Sequence, residues 1–316
     1  MIKKSPIDPF IDQQGVLILD GGLATELENR GHDLDHSLWS ARILIEDPGE
    51  IVSVHHTYLD AGADCIISSS YQATVAGFVS HGLSETKARD LIKRTVALAC
   101  EARDKFLAEM TYKNRIRPII AASIGPYGAY LANGAEYKGD YHLTTKQLID
   151  FHLPRIELLS QTEADLFACE TIPSIREAEA LKSVIDGNTD ILAWMSFSCK
   201  DGTHISDDTP IRECVSMLED CDGIFAIGVN CTAPAHIPSL LNEIVQCKSS
   251  KTIIIYPNSG EQYDPHRKKW RNSQSPVDFS GLALEWYDAG ARLIGGCCRT
   301  GPDHIAAIRK TLIRSN

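Results

Sequence analysis

Three cysteines occupy positions suited to binding a metal ion. Cys297 and Cys298 are adjacent and follow the segment Leu293-Ile-Gly-Gly, and Cys231 follows the apolar run Ile227-Gly-Val-Asn. Adjacent cysteines seldom bridge each other, because one trans peptide holds their Cα atoms closer than an ordinary disulfide needs. Thiolates suit zinc, and three protein ligands leave a fourth position open for a substrate. We therefore predict a zinc site at these three residues, against the alternative that they are small core side chains.

Composition and charge narrow the class of protein. The chain has 316 residues, of which 43% are hydrophobic, and a formal net charge of -11. This is typical of a globular protein with a large core, and the absence of a basic stripe interleaved with aromatics makes nucleic acid an unfavourable partner. The N-terminus lacks the apolar region of a signal peptide, and no apolar run is long enough to span a membrane. The ten scattered cysteines indicate a reduced, cytoplasmic protein.

The elements that must position the cysteines follow a βα pattern. Short apolar runs alternate with amphipathic segments, which is typical of a parallel sheet covered by helices. The predicted strands are residues 16–19, 65–67, 118–123, 166–169, 191–197, 224–229, 252–256 and a run ending at 293–294. The predicted helices are residues 47–61, 84–109, 144–161, 174–185, 211–218, 234–245, 277–288 and 302–313.

Eight such units predict a (β/α)8 TIM barrel that forms a single domain over residues 1–316. An open doubly wound sheet is the alternative, and it is less favoured because no G-x-G-x-x-G follows the first strand. Asp47, Ser84 and Ser174 are predicted N-caps, and Ser174 with Glu177 matches a capping box. Three long segments without periodicity, residues 21–46, 125–142 and 258–276, are expected on the catalytic rim of the barrel.

Polar residues at the strand ends are the second set of candidate site residues. In a barrel these side chains should face one common site, and they include Asp20, Gly21, Gly22, Tyr71, Glu170 and Asn230. Asp20 and Glu170 can bind a substrate ammonium group or act as acid and base, and the two glycines let backbone N–H groups approach a carboxylate. An amino acid substrate requires both features. The alternatives are a turn cap for Asp20, an ion pair for Glu170 and loop packing for Tyr71.

Five segments of the chain resemble the homocysteine S-methyltransferase family. They are the runs LDGGLATELE from Leu19, LWSA from Leu38, SYQAT from Ser70, GVNC from Gly228 and GGCCRT from Gly295. The resemblance extends from about residue 16 to the last helix, and the LWSA and SYQAT runs are similar to the branch that uses S-methylmethionine as methyl donor. Asp208 departs from the pattern, since close relatives often carry Gly there, and this affects only the expected loop conformation.

The resemblance implies a zinc-dependent barrel enzyme that makes methionine. Cys231, Cys297 and Cys298 would be the zinc ligands at the catalytic centre. The residues expected to bind substrate are Asp20, Gly21, Gly22, Glu170 and Asn230, with the first four holding the amino acid part of homocysteine, and Trp39 and Tyr71 near the donor.

Other functions remain open from the sequence. The donor could instead be S-adenosylmethionine, glycine betaine or a folate, and the oligomeric state is undetermined. A non-catalytic barrel would have a structural zinc closed by a fourth protein ligand. An aldolase-like lyase would need a Schiff-base lysine at a strand end, and no predicted strand end carries one. The absence of a G-x-S-x-G motif and of a P-loop argues against hydrolase and kinase chemistry.

Overall fold

The computed structural model describes residues 5–32, 40–110, 115–188, 190–260, 262–264, 269–271 and 278–313. Eight parallel strands form one sheet: Leu17–Ile18, Cys65–Ile67, Ile119–Ile124, Leu166–Ile172, Ala193–Phe197, Ile224–Asn230, Thr252–Tyr256 and Ala291–Ile294. Each strand from the second to the eighth pairs with its neighbour in sequence, and the first pairs with the eighth. A parallel bridge between Leu19 and Cys65 joins the first and second strands, so the sheet closes as the predicted (β/α)8 barrel.

Helices surround the barrel and join successive strands. The α-helices are Asp8–Gln14, Leu23–Asn29, Ser40–Glu46, Pro48–Ala61, Val75–Ser80, Glu85–Glu109, Tyr127–Leu131, Thr145–Leu159, Ile175–Asn188, Ile211–Leu218, Ile237–Gln246, Phe279–Asp288 and Pro302–Leu312. Two turns of 3₁₀-helix, Ala135–Tyr137 and Pro234–His236, and an antiparallel pair, Gln262–Asp264 with Lys269–Arg271, complete the described elements. No helix in these described ranges has the length and apolar character needed to cross a bilayer.

The barrel interior is filled around one large side chain. Trp194 is fully buried, and Ala168 and Ala226 lie beside it in register on the fourth and sixth strands. The two small residues leave room for the indole inside the barrel. The Trp194 Nε1 group donates a hydrogen bond of 3.0 Å to the hydroxyl of Tyr256, at the end of the seventh strand. The packed interior therefore ends in a polar layer at the C-terminal mouth.

The fourth strand is longer than the sequence predicts. It runs from Leu166 to Ile172 with every residue buried, so Glu170 and Thr171 lie within it. Sequence periodicity ended the strand at Cys169, because a carboxylate inside a buried strand is uncommon. The extension places the Glu170 side chain at the mouth of the barrel.

The predicted capping box at Ser174 is only half formed. The Ser174 hydroxyl accepts a hydrogen bond of 3.3 Å from the Glu177 amide, as expected for an N-cap. The Glu177 carboxylate instead accepts bonds from the Tyr127 amide (2.6 Å) and from His152 (2.8 Å). Tertiary partners have thus replaced the local one. Ser84 caps its helix as predicted, whereas Asp47 occupies the N-cap position without a side-chain cap.

The segments without periodicity contain short helices and turns that the sequence did not indicate. Residues 21–46 include helices Leu23–Asn29 and Ser40–Glu46, and residues 125–142 include helix Tyr127–Leu131 and the turn Ala135–Tyr137. Asp208 has a φ of 76°, in the left-handed region that favours glycine. The departure from the family pattern at this position therefore falls at a strained loop residue.

Candidate metal and amino acid site

Three thiols meet at the C-terminal mouth of the barrel. Cys231 follows the sixth strand, and Cys297 and Cys298 follow the eighth, and their Sγ atoms all lie within 4.8 Å of one another. The Sγ atoms of Cys231 and Cys298 are 3.4 Å apart. In the part of the chain that the structure describes, no other Cys, His, Asp or Glu joins this group.

The cluster fits a tetrahedral metal centre. Zinc–sulfur distances of about 2.3 Å require sulfurs about 3.8 Å apart in a tetrahedron. The 3.4 Å between the Cys231 and Cys298 sulfurs and the limit of 4.8 Å for all three pairs are compatible with that spacing. Hydrogen bonds from the thiols of Cys297 and Cys298 hold the pKa of Cys231 well below its usual value, and the bond to Cys231 raises the pKa of each of the other two. Three thiolates so close together need a cation to offset their charge. Three thiolate ligands also leave one coordination position for a substrate.

Backbone geometry around the cysteines depends on close approach of glycines. A Cβ on Gly22 would lie 2.7 Å from the Cys297 carbonyl oxygen, and one on Gly296 would lie 2.2 Å from Thr300 Oγ1. The Gly22 amide donates a hydrogen bond of 3.0 Å to the Thr300 carbonyl. The Gly22 amide is therefore paired within the protein, and the contact predicted between the Gly21–Gly22 backbone and a substrate carboxylate stays a prediction. Gly22 also allows the first and eighth βα loops to pack together.

Asp20 lies in the same pocket, and one of its two carboxylate oxygens is already hydrogen-bonded within the protein. It is 3% exposed, and its Oδ2 atom accepts a hydrogen bond of 2.8 Å from the Ile67 amide. Its Oδ1 atom is buried and has no partner among the described residues. Burial raises the pKa of the Asp20 carboxyl well above its usual value, and the nearby charge of Glu170 raises it further. The carboxyl therefore presents one open acceptor to the pocket.

Glu170 is the second predicted carboxylate, and it is held on both oxygens. Its Oε1 atom accepts a short hydrogen bond from the Ser123 hydroxyl, and its Oε2 atom accepts one of 3.2 Å from the Tyr256 hydroxyl. Burial raises the pKa of Glu170 to about 7, although both hydrogen bonds oppose the shift. A cation bound nearby would restore the charged form.

Asn230 does not line the pocket but supports it from behind. Its side chain is fully buried, and its amide nitrogen lies 3.8 Å from the Cys297 sulfur. Its Oδ1 atom accepts hydrogen bonds from the Thr171 amide (2.7 Å) and the Ser196 hydroxyl (2.9 Å). Asn230 therefore connects the fourth and fifth strands to the thiol cluster, and its predicted contact with substrate stays a prediction.

The loop after the third strand supplies two pocket residues that our sequence analysis missed. Glu136 is 2% exposed, and its Oε2 atom is buried with no partner in the described ranges. Burial raises the pKa of Glu136 to about 7. The Tyr137 hydroxyl lies 3.3 Å from the Cys231 sulfur. Both residues sit in a segment without periodicity, so only the expectation that this loop lies on the catalytic rim pointed to them.

The pocket that these residues enclose is small and acidic. It has a volume of ≈ 130 Å³ and includes Tyr71, Gly21 and Gly22 as well as the three cysteines and three carboxylates. By this measure one water needs about 10–15 Å³, so the space suits about ten waters or one amino acid of similar size. Trp39, which was predicted to lie near the donor, falls outside the described residues.

Comparison with known proteins identifies the family to which this barrel belongs. A family model described as homocysteine S-methyltransferase matches residues 17–312. The chain belongs to the homocysteine S-methyltransferase family. It is thus an enzyme of this class, and a small-molecule substrate such as homocysteine is consistent with its family.

Relatives match over nearly the whole chain. Homocysteine S-methyltransferase YbgG of Bacillus subtilis is 51% identical, with 96% of each chain covered. Homocysteine S-methyltransferase of Escherichia coli is 44% identical over 98% of this chain and 99% of its own. Selenocysteine Se-methyltransferase of Brassica oleracea var. italica is 45% identical over 95% of this chain and 89% of its own. The family is therefore shown by relatives from bacteria and plants.

Solved structures agree with the barrel. The metallated form of the homocysteine methyltransferase MmuM from Escherichia coli superposes with a TM-score of 0.87 at 42% identity, covering 96% of this chain and 99% of that one. Its oxidised form gives a TM-score of 0.86. A metal in that relative and the three-cysteine cluster here both indicate a metal centre in this chain.

Proposed function

We propose that this enzyme transfers a methyl group from S-methylmethionine to the thiol of L-homocysteine, with zinc as its metal, and so forms methionine. The observation that supports this most directly is the convergence of three thiols and three carboxylates in one amino-acid-sized pocket. The donor and acceptor both carry an ammonium group, and the donor also carries a positive sulfonium. An acidic pocket favours both molecules.

Cys231, Cys297 and Cys298 would hold the zinc ion. Zinc, when bound, would lower the pKa of a coordinated thiol and so favour the thiolate, which is the nucleophilic form. Asn230 orients the Cys297 side of this centre through its amide, 3.8 Å from the sulfur. The three sulfurs thereby fix where the nucleophile lies.

Carboxylates of the pocket would hold the homocysteine ammonium group. Asp20 and Glu170 were expected in this role, and we add Glu136 because it lines the same pocket. Asp20 Oδ1 and Glu136 Oε2 are buried acceptors with no partner among the described residues, so each can accept an N–H bond without losing another. Burial raises the pKa of each of these three carboxyls, and a bound ammonium group would favour their charged forms.

The transfer itself is a displacement at the methyl carbon. The electron pair of the homocysteine thiolate forms the new S–CH3 bond, and the pair of the breaking bond stays on the donor sulfur as a neutral thioether. S-methylmethionine and homocysteine therefore give two molecules of methionine. The enzyme contributes mainly by aligning the two sulfurs and excluding water. The Tyr71 ring, which lines the pocket, can attract the sulfonium by its face.

The preference for S-methylmethionine over S-adenosylmethionine rests on the resemblance of the LWSA and SYQAT runs to the branch of the family that uses S-methylmethionine. Glycine betaine is also small and cationic, and the preference against it rests on the resemblance of the SYQAT run that begins at Ser70.

A donor panel tests the proposal. Purified, zinc-loaded enzyme is given homocysteine with S-methylmethionine, S-adenosylmethionine, glycine betaine or methyltetrahydrofolate, and methionine is quantified. We expect the highest kcat/KM with S-methylmethionine and two methionines per turnover. A higher value with betaine would replace the proposed donor, and zinc-loaded protein without turnover on any donor would indicate a non-catalytic barrel. Selenocysteine as acceptor, suggested by the Brassica relative, is assayed in the same panel.

A further inference from the structure

A buried arginine lies behind the pocket, on the helix after the third strand. Arg155 belongs to helix Thr145–Leu159 and is 2% exposed. It does not line the pocket. Its terminal nitrogens donate to the Gly125 carbonyl (2.6 Å) and the Tyr71 carbonyl (3.2 Å), and its cation lies 5.9 Å from the centre of the Phe151 ring. Burial lowers the pKa of Arg155 to about 10, so it keeps its charge at neutral pH.

The charge of Arg155 is connected to a carboxylate through a neutral imidazole. Arg155 donates to His152 Nδ1 at 3.0 Å, and His152 Nε2 lies 2.8 Å from Glu177 Oε1. Since Arg155 has only donors, Nδ1 is the acceptor and the ring proton is on Nε2, which donates to Glu177. Burial lowers the pKa of His152, which agrees with a neutral ring. His152 and Glu177 are both fully buried.

This triad, Arg155 with His152 and Glu177, binds the backbone of two pocket loops. Arg155 holds the carbonyls of Tyr71 and Gly125, and Glu177 accepts a hydrogen bond of 2.6 Å from the Tyr127 amide. Tyr71 itself lines the pocket. The triad therefore fixes the end of the second βα turn and the start of the third at the same time.

Close backbone packing connects the loops fixed by the triad to the thiol cluster. Helix Tyr127–Leu131 lies against the turn Ala135–Tyr137, and a Cβ on Gly128 would lie 2.3 Å from the Glu136 amide nitrogen. A shift of residues 125–128 must therefore move Glu136 and Tyr137. The Tyr137 hydroxyl contacts the Cys231 sulfur at 3.3 Å, so the path from Arg155 ends at the candidate metal centre.

We propose that Arg155, acting through His152 and Glu177, is a positioning residue for methyl transfer that holds Tyr71, Glu136 and Tyr137 against the thiol cluster. This inference rests on the proposed function for its kinetic test. A buried guanidinium that donates hydrogen bonds to two loop carbonyls fixes the distance between them. A lysine ammonium lacks the planar arrangement of donors and cannot do the same. Burying the Arg155 guanidinium is unfavourable, but at this place the buried group orders three pocket side chains.

The test compares Arg155→Lys with Arg103→Lys. Arg103 is equally buried at 2% exposure, but it lies on helix Glu85–Glu109 and pairs with Asp165 (3.2 Å), away from the pocket. We expect Arg155→Lys to lower kcat by roughly 10- to 100-fold while the homocysteine KM changes by less than about threefold, because small misplacements act on the transition state. Arg103→Lys should leave both constants unchanged. Wild-type kcat and KM in folded, zinc-loaded Arg155→Lys would overturn the proposal, even if its melting temperature falls.

Amide hydrogen exchange gives a readout that does not depend on activity. In Arg155→Lys we expect faster exchange in residues 68–74 and 125–138 and no change in the strands. If the wild-type enzyme makes no methionine with any donor, the proposed function fails, and unchanged exchange in these two segments would separately refute the positioning role. Where Arg155→Lys does not fold, His152→Asn, which breaks the connection to Glu177, is measured in the same way. Glu177→Gln keeps an acceptor for the Tyr127 amide, so we expect its kcat to fall less than that of His152→Asn.

Discussion

Asn230 and Thr171 are joined by two hydrogen bonds between the C-terminal ends of the sixth and fourth strands, at the mouth of the barrel. The Thr171 amide donates to Asn230 Oδ1 at 2.7 Å, and Asn230 Nδ2 donates to Thr171 Oγ1 at 2.8 Å. Thr171 has a φ of 60° and Cys231 a φ of 47°, in a region that few residues other than glycine adopt. The pair therefore holds two strained backbone positions, one beside Glu170 and one at a candidate metal ligand.

Replacing Asn230 with alanine should weaken both sides of the site. The change leaves the buried Thr171 amide without its acceptor, which costs about 1–3 kcal/mol of unfolding free energy. It also removes the amide beside Cys297, and loss of such a supporting group lowers metal affinity by roughly 10- to 100-fold. Urea unfolding and competition with a zinc chelator measure the two effects. Ser196→Ala removes one bond to Asn230 Oδ1 and leaves Thr171 satisfied, so its zinc affinity should stay within about threefold of wild type.

Replacing Cys298 with alanine should remove the metal and the activity together. Two thiolates cannot complete a three-ligand site, so we expect zinc affinity to fall by more than about 100-fold and methionine formation to stop. Metal content by mass spectrometry and the methionine assay check this result. Cys247→Ser is the control, because Cys247 lies at the end of an outer helix and belongs to no metal-binding group in the described ranges. A fully active, zinc-free Cys298→Ala enzyme would exclude the proposed mechanism.

The barrel was predictable because its strands are apolar runs with clear ends. The strands Cys65–Ile67 and Thr252–Tyr256 and the helix Ile211–Leu218 have the predicted bounds, and the other strands agree within a few residues. Because a parallel strand is buried on both faces, it appears in the sequence as a continuous apolar run. The strand ends then indicated where Asp20, Glu170 and the cysteines would lie.

The parts that could not be predicted depend on contacts between distant residues. Glu136 and Tyr137 reach the pocket because helix Tyr127–Leu131 packs against their turn, and no local pattern reports this packing. Glu177 matched a capping box, but its carboxylate bonds to His152 and the Tyr127 amide, which are remote in sequence. Local propensity is a weak guide wherever a buried partner competes with it.

Gly22→Ala should disturb the metal centre without replacing any of the three proposed ligands. A methyl group there would lie 2.7 Å from both the Cys297 carbonyl oxygen and Thr25 Oγ1, so one of the two loops must move. We expect roughly a 10-fold or greater loss of zinc affinity and of kcat/KM for homocysteine. Gly187→Ala is the matched control, because a methyl group there meets no atom within 4 Å and Gly187 lies on a helix. That variant should be as active as wild type and slightly more stable, by about 0.5–1 kcal/mol. Equal zinc affinity in the two variants would show that this loop contact does not hold Cys297 in place.

Glu170→Gln should stabilise the ligand-free enzyme at high pH while impairing substrate binding. Burial raises the pKa of Glu170 from 4.5 to about 7, so the folded state binds more protons than the unfolded state between these values. Its favourable contribution is complete below about pH 4.5 and is lost as the pH rises through about 7. At pH 8 the ionised carboxylate therefore costs about 3 kcal/mol, and a neutral glutamine avoids that cost.

The variant and wild type are unfolded by urea at pH 5 and pH 8 in the absence of substrates. We expect Glu170→Gln to be the more stable protein at pH 8, with a difference that shrinks at pH 5, and its homocysteine KM to rise about tenfold, since a charged acceptor for the ammonium is lost. Ser123→Ala is the companion variant: it removes a hydrogen bond that favours the charged form of Glu170, so the pKa of Glu170 should rise further. A stability difference between Glu170→Gln and wild type that is the same at both pH values would mean that Glu170 does not titrate in this range. In that case the carboxylate is already compensated in the free enzyme, and the acidity of the pocket would have to be attributed to Asp20 and Glu136.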